Sequence, residues 1–225
     1  MLTFGMAGSI AVPCSDTGRY SAFADSLANL DRPDGTVTRF AVCTWRQRGR
    51  NQLVRWMLDA GDEWLLFLDD DHVFAPDLLT RLLSHDEPVV AGLCLRRDEP
   101  YGPFCFQSVV SPGVFMPVDL NTYDPGELVP VAAVGTGAML IRREVFETLP
   151  DPWFRIAESG EDMLFCQAAT AAGFPVYVDL GASVGHLTTA VVWPAHTDHR
   201  WHAGIVVSGE TRFTRPLPKP EPLQA

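Results

Sequence analysis

The chain is almost devoid of lysine. Of its 17 basic residues only Lys219 is a lysine, and the rest are arginine. That excludes any mechanism needing a core lysine as nucleophile, Schiff-base former or phosphate ligand. Paired cysteines are also missing. Cys14, Cys43, Cys94, Cys105 and Cys166 are scattered singly, with no CxxC. An odd, dispersed set argues against a disulfide framework and fits a reducing cytoplasm. No apolar run approaches the ~20 residues that span a bilayer. The opening MLTFGMAGSIAVPC has no basic n-region, so it reads as a first strand rather than a signal peptide. Positive charge is in deficit, with a net charge of −11. Such a surface repels a phosphate backbone, which disfavours nucleic acid as the main partner.

What remains is an ordinary globular composition of 225 residues, 47% hydrophobic and 20% charged, enough for one buried domain. Residues 3–13 and 36–44 read as strands, and 50–60 as a helix stopped by Gly61. WLLFLD (64–69) is a short apolar run of the kind buried in a parallel sheet. Pro76 and Asp77 open a helix with Leu78, Leu79, Leu82 and Leu83 on one side. PVVAGLCL (88–95) and PVYVDL (175–180) are further strands, 98–130 is loop with short antiparallel strands, and 161–172 is a helix with Ser159 as N-cap. The alternation predicts an α/β domain with a mostly parallel sheet over residues 1–207. Residues 208–225, with alternating prolines, read as an extended, mobile tail. His196, His199 and His202 recur at helical spacing.

Asp69, Asp70 and Asp71 fall where WLLFL runs out, the end of a strand at which open α/β sheets bind ligands. Three adjacent carboxylates repel one another, and a divalent cation offsets that repulsion. Hard oxygen ligands suit Mg²⁺ or Mn²⁺. A solvated acidic turn is the plainer reading. LLFLDDDHV also fits the DxDx[TV] pattern of haloacid-dehalogenase-like phosphohydrolases, with Asp69 as nucleophile. That chemistry normally adds a core lysine, which is absent.

GRNQLV (49–54), FLDDDHVFAPDLL (67–79), VVAGLCLRR (89–97), VGTGAMLIRREVFETLPDPWF (134–154), GEDMLFCQAATAAGFPVYVD (160–179) and VGHL (184–187) follow one another in order. Together they resemble a GT-A glycosyltransferase of the family 2-like kind, which includes phage-encoded members. The resemblance implies a single GT-A (nucleotide-diphospho-sugar transferase, Rossmann-like) domain. It implies metal-dependent glycosyl transfer from a nucleoside diphosphate sugar, with a UDP-sugar favoured, to an acceptor hydroxyl, with inversion. A DxD motif of Asp69 and Asp71 would hold Mn²⁺ or Mg²⁺, and His186 would be a further ligand. Arg50, Asn51, Asp69, Asp70 and Arg97 would meet the nucleotide sugar. Gly135, Thr136, Gly137, Trp153 and Glu161 would line the acceptor or sugar side, and Asp162 would be the general base. Helix-terminal amides would lower the pKa of Asp162. Arg46 and Arg48 extend the basic cluster around Arg50, and Arg96 precedes Arg97. Where the family carries an acidic element at its second strand, this chain has Val42-Cys43-Thr44-Trp45. The base therefore stays open, as does the acceptor: a protein, a glycan, a modified DNA base or a small molecule. A phage-encoded enzyme would work in the host cytoplasm. A non-catalytic nucleotide-sugar-binding domain is the remaining alternative.

Overall fold

The computed structural model describes residues 7–14, 20–42, 45–156, 160–188, 191–207 and 210–224. In chain order these form β1 (Gly8–Cys14), α1 (Ser21–Ala28), β2 (Val37–Val42), α2 (Arg46–Ala60), β3 (Trp64–Leu68), β4 (His72–Phe74), α3 (Leu78–Ser84) and β5 (Val89–Cys94). Next come β6 (Cys105–Ser111), β7 (Val114–Pro117), a 3-10 turn at Leu120–Thr122, β8 (Leu128–Val131), β9 (Ala133–Val134), β10 (Ala138–Arg142) and α4 (Arg143–Thr148). The chain continues with α5 (Glu161–Ala171), β11 (Val176–Leu187), β12 (Val191–Thr197), β13 (Arg200–Val207), β14 (Glu210–Pro216) and β15 (Leu223–Gln224).

The large sheet has 11 strands in the order β14-β13-β12-β11-β5-β10-β3-β1-β2, with β4 and β8 also on β11. This is an α/β fold, but the expected mostly parallel sheet is corrected. Only β1 with β2 and β3, and β5 with β11, run parallel. The main reason is β10. It enters antiparallel between β3 and β5, pairing Ala138 with Leu68 and Met139 with Ala91. Its residues AMLI are as buried as those of a parallel strand, so its composition carries no sign of its direction. The insertion has a positional effect. It brings the start of β10, and Gly135-Thr136-Gly137 before it, to the ends of β3 and β5 where the Asp turn lies. The amide of Asp69 donates to the carbonyl of Gly137 at 2.9 Å.

Alternation along the buried strands feeds two cores. Phe67, Ala91 and Met139 face Leu53, Met57, Phe154 and Phe165. Leu66, Leu68, Val90 and Leu140 face Phe23, Leu78, Leu79 and Leu82. Phe165 stacks on Phe154 with ring centroids 4.8 Å apart, which seats α5 against the sheet. Burying one such side chain is worth roughly 2–3 kcal/mol. The helix α2 starts at Arg46 rather than Arg50, and Gly61 ends it as expected. With φ of 75°, the Gly61 N–H reaches the carbonyls of Met57 and Leu58.

Two expectations at the C-terminal end are revised. The stretch read as a free tail is paired: β14 lies on β13, and β15 on β7 in a second, 4-stranded sheet. The spaced histidines belong to a hairpin of β12 and β13, not to a helix. Its turn residues Asp198 and His199 have φ of 50° and 58°. Among the described residues no helix is long and apolar enough to cross a membrane.

Candidate functional site

A cleft of about 290 Å³ opens where β3, β5, β10 and the N-terminus of α5 meet. Asp69, Asp71, Arg50, Arg97, Gly135, Thr136, Gly137, Glu161, Asp162 and His186 all line it. Ten of the thirteen residues singled out in the sequence therefore converge, from segments far apart in the chain.

Asp69 leaves β3 and meets Arg50 on α2. Arg50 Nη2 donates to Asp69 Oδ2 at 3.2 Å and stands 3.0 Å from Oδ1. Its Nε points at Glu161 Oε1, 3.5 Å away, and its guanidinium lies over the Phe67 ring at 5.4 Å. Arg50 is 1% exposed. Burial works against its charge, but Asp69, Glu161 and Asp162 outweigh that and raise its pKa. It sits inside α2 rather than at the helix start, so it joins the Asp turn to α5 instead of presenting a helix N-terminus.

After the turn, β4 folds back antiparallel to β11, pairing His72 directly with His186. Their ring centroids are 4.7 Å apart. Asp71 lies between two histidines and an arginine. His186 Nε2 is 3.4 Å and Arg97 Nη1 3.0 Å from its Oδ2, and His72 Nδ1 is 3.8 Å from its Oδ1. Burial would raise the Asp71 pKa. The hydrogen bond to His186 and the charges of His72, His186 and Arg97 prevail and hold it down to about 2. Burial pushes the His72 pKa below its usual value, against the pull of Asp69 and Asp71. His186 Nδ1 donates to the carbonyl of Leu95 at 3.1 Å, which turns Nε2 toward Asp71.

On the opposite wall, Gly160 with φ of 90° is the N-cap of α5; Ser159, expected in that role, lies outside the described residues. Asp162 Oδ1 accepts from the Met163 amide at 3.0 Å. The expected lowering of its pKa is nevertheless reversed. Burial, then the neighbouring charge of Glu161, push Asp162 up to about 6, against Arg50 and the amides.

The two glycines before β10 make room for side chains. A Cβ on Gly137 would stand 2.1 Å from His72 Cε1, and one on Gly135 would stand 2.4 Å from Phe104 Cδ1. Three expected residues do not line the cleft. Asn51 is buried and clamps the backbone of Phe154, donating from Nδ2 to its carbonyl at 2.7 Å and accepting from its amide at 3.0 Å. Trp153 is a core residue whose indole N–H donates to the carbonyls of Phe146 and Leu149 at 2.8 and 3.0 Å. It packs edge-on to Phe146, so no face is offered to a sugar. Asp70 occupies the turn without lining the cleft. Arg48 lines a separate groove with Arg55 and Arg155. Cys43 and Thr44 lie outside the described residues.

Arg46, from the basic cluster noted in the sequence, also lines the cleft, and the structure adds His72, Cys94 and Phe104, to which the sequence reading gave no role there. His72 was the fourth residue of a DDDH run, and only the β4–β11 register reveals what it faces. Cys94 was one of five single cysteines; its Sγ is 3.4 Å from His72 Nε2. Burial, and then the charges of Asp71 and Asp69, raise its thiol pKa.

Among the described residues, five buried side-chain polar atoms lack a hydrogen-bond partner. Four of them, Arg50 Nη1, Asp69 Oδ1, His72 Nδ1 and Thr136 Oγ1, belong to this cleft, Asp69 Oδ1 meeting Arg50 only as an ion pair. Buried polar groups are normally satisfied, so this concentration sets the cleft apart from the rest of the described interior.

No family model matches the chain. No curated protein matches it either. Among solved structures it is similar to the crystal structure of A197 from STIV, with a TM-score of 0.57 and 16% identity, covering 95% of this chain and 95% of that one. At that identity the likeness is one of fold.

Proposed function

We propose that the protein is a metal-dependent glycosyltransferase with a GT-A domain, moving a sugar from a nucleoside diphosphate donor to an acceptor hydroxyl with inversion. One observation carries the reading. Asp69 and Asp71 at the end of β3 share a single cleft with Asp162 at the start of α5, and unpartnered polar atoms crowd the same space.

The donor set fits a divalent ion. Asp69, Asp71 and His72 offer ligand atoms within 4.8 Å of one another, and His186 Nε2 faces Asp71 at 3.4 Å. Asp71, helped by these neighbours, would hold Mn²⁺ or Mg²⁺. The ion would contribute positive charge against a departing diphosphate. The rest is the work of the chain's own groups. Arg46 and Arg97, both exposed at the cleft, supply charge-assisted hydrogen bonds to phosphate oxygens. Thr136 Oγ1 offers a hydroxyl with no internal partner. Asp162 takes the proton from the acceptor oxygen as that oxygen attacks the anomeric carbon. A pKa of about 6 keeps it ionised at neutral pH and makes it a stronger base than an ordinary carboxylate.

A thermal-shift panel of UDP-, GDP-, CMP- and TDP-sugars, each with and without Mn²⁺, tests the binding claim. A metal-dependent rise with one nucleotide class is expected, and no such rise in any sample sinks the reading. Asp162→Asn then separates chemistries. Glycosyl transfer should be lost, whereas a phosphohydrolase using Asp69 would retain activity.

A further inference from the structure

The expectation from sequence was a hard, oxygen-rich metal site. The cleft also contains a softer set. His72, Cys94 and His186 bring two imidazoles and a thiol within 4.8 Å of one another, with Asp71 adjoining. We propose that His72, Cys94, His186 and Asp71 form a four-coordinate zinc site with a thiolate ligand.

Distances discriminate between coordination geometries. Zinc bonds of about 2.0–2.3 Å at tetrahedral angles separate neighbouring ligand atoms by roughly 3.3–3.6 Å. Octahedral Mg²⁺, at about 2.1 Å, brings neighbouring ligands to roughly 3.0 Å. Cys94 Sγ to His72 Nε2 is 3.4 Å, and His186 Nε2 to Asp71 Oδ2 is 3.4 Å. Both edges have the tetrahedral length, and the remaining edges among the two imidazoles and the thiol stay within 4.8 Å, so a small inward movement of the side chains would close the site.

Charge and satisfaction point the same way. A thiolate and one carboxylate neutralise a divalent ion, and the imidazoles add none. Asp69 has its charge answered by Arg50, so it is not needed for this balance. His72 is 4% exposed, its Nδ1 has no hydrogen-bond partner, and its Nε2 meets the Cys94 thiol. An ion at Nε2 would draw that ring and the thiol into one coordination sphere. His186 is already oriented by its bond to the Leu95 carbonyl, the arrangement that fixes the tautomer of a ligating histidine. The ligands sit on paired strands. His72 is opposite His186, and Cys94 opposite Val184, which holds the donors on rigid backbone. Thiolate and imidazole together select zinc over magnesium or manganese. The site shares Asp71, His72 and His186 with the proposed donor site, so zinc and Mn²⁺ compete for it, but it does not depend on sugar transfer.

Cobalt(II) is the probe. The full chain, stripped of metal by a chelator and kept reduced, is titrated with Co²⁺. One equivalent should give the intense visible bands of four-coordinate cobalt and a near-ultraviolet thiolate-to-cobalt band, and one equivalent of Zn²⁺ should bleach both. Cys94→Ser should lose the near-ultraviolet band with an unchanged melting temperature. Asp69→Asn should keep the cobalt spectrum even as it loses the Mn²⁺-dependent nucleotide response. A pale six-coordinate spectrum in the unmodified protein overturns the proposal, whatever the variants do. So does a thiolate band that survives in Cys94→Ser, or a cobalt spectrum lost in a folded Asp69→Asn. Failure of every nucleotide sugar to bind would leave the cobalt result standing.

Discussion

Arg50 Nη2 stands 3.0 Å from Asp69 Oδ1, so a helix residue holds in place the turn that carries the candidate metal ligands. The same side chain reaches Glu161 on the opposite wall. Replacing it with methionine strands two carboxylates that are mostly shielded from water. Arg50→Met should lower stability by about 3 kcal/mol in urea unfolding. Arg50→Lys should recover only part of that, because an ammonium lacks the fork that spans both acids.

The raised pKa of Asp162 makes a pH-dependent prediction. Its carboxyl is protonated more readily in the folded chain, at about 6, than at the ordinary 3.8. Its contribution to stability is therefore fully present below about 3.8 and lost as pH rises through 6. Asp162→Asn should stabilise the protein by on the order of 1–3 kcal/mol at pH 8 and have little effect at pH 3.5. Under the proposed function the acidic limb of the transfer rate should have an apparent pKa near 6. Glu161→Gln should shift that limb downward.

Gly137 is a test of how closely backbone and histidine pack. Gly137→Ala places a methyl 2.1 Å from His72 Cε1, so the ring must move. A cost of about 1–3 kcal/mol is expected from the overpacking, with weaker metal binding measured by calorimetry. If affinity is unchanged, His72 has no part in holding an ion.

Trp153 separates a core role from a sugar-binding one. Trp153→Phe removes the donor to the Phe146 and Leu149 carbonyls and should cost about 1–2 kcal/mol. The thermal-shift response to a nucleotide sugar should persist. Loss of that response in a folded variant would return Trp153 to the site.

Much of the cleft was legible because its residues lie where short-range signals are strong. Asp69 ends a buried apolar run, and Asp162 begins a helix. Glycines precede β10, and their backbone proximity to the Asp turn comes from pairing. What was not legible is long-range. The direction of β10 depends on its partners, not its composition. The role of His72 depends on a register with His186, over a hundred positions later. Trp153 was misjudged because an aromatic residue beside Pro152 reads alike in a core and in a sugar platform. The rise in the Asp162 pKa was missed because burial between the cleft walls and the charge of Glu161 outweigh Arg50 and the local amides.

The insertion of β10 between β3 and β5 also governs when the site can exist during folding. Arg50, Asp69, Glu161 and His186 are brought together only after strands from both halves of the chain have interleaved. Such non-local pairing is a slow step. The cleft residues run from Arg46 to His186, so ligand affinity should emerge late in refolding, together with closure of the central sheet. Recovery of metal binding after dilution from denaturant thus becomes a clock for the completion of the topology.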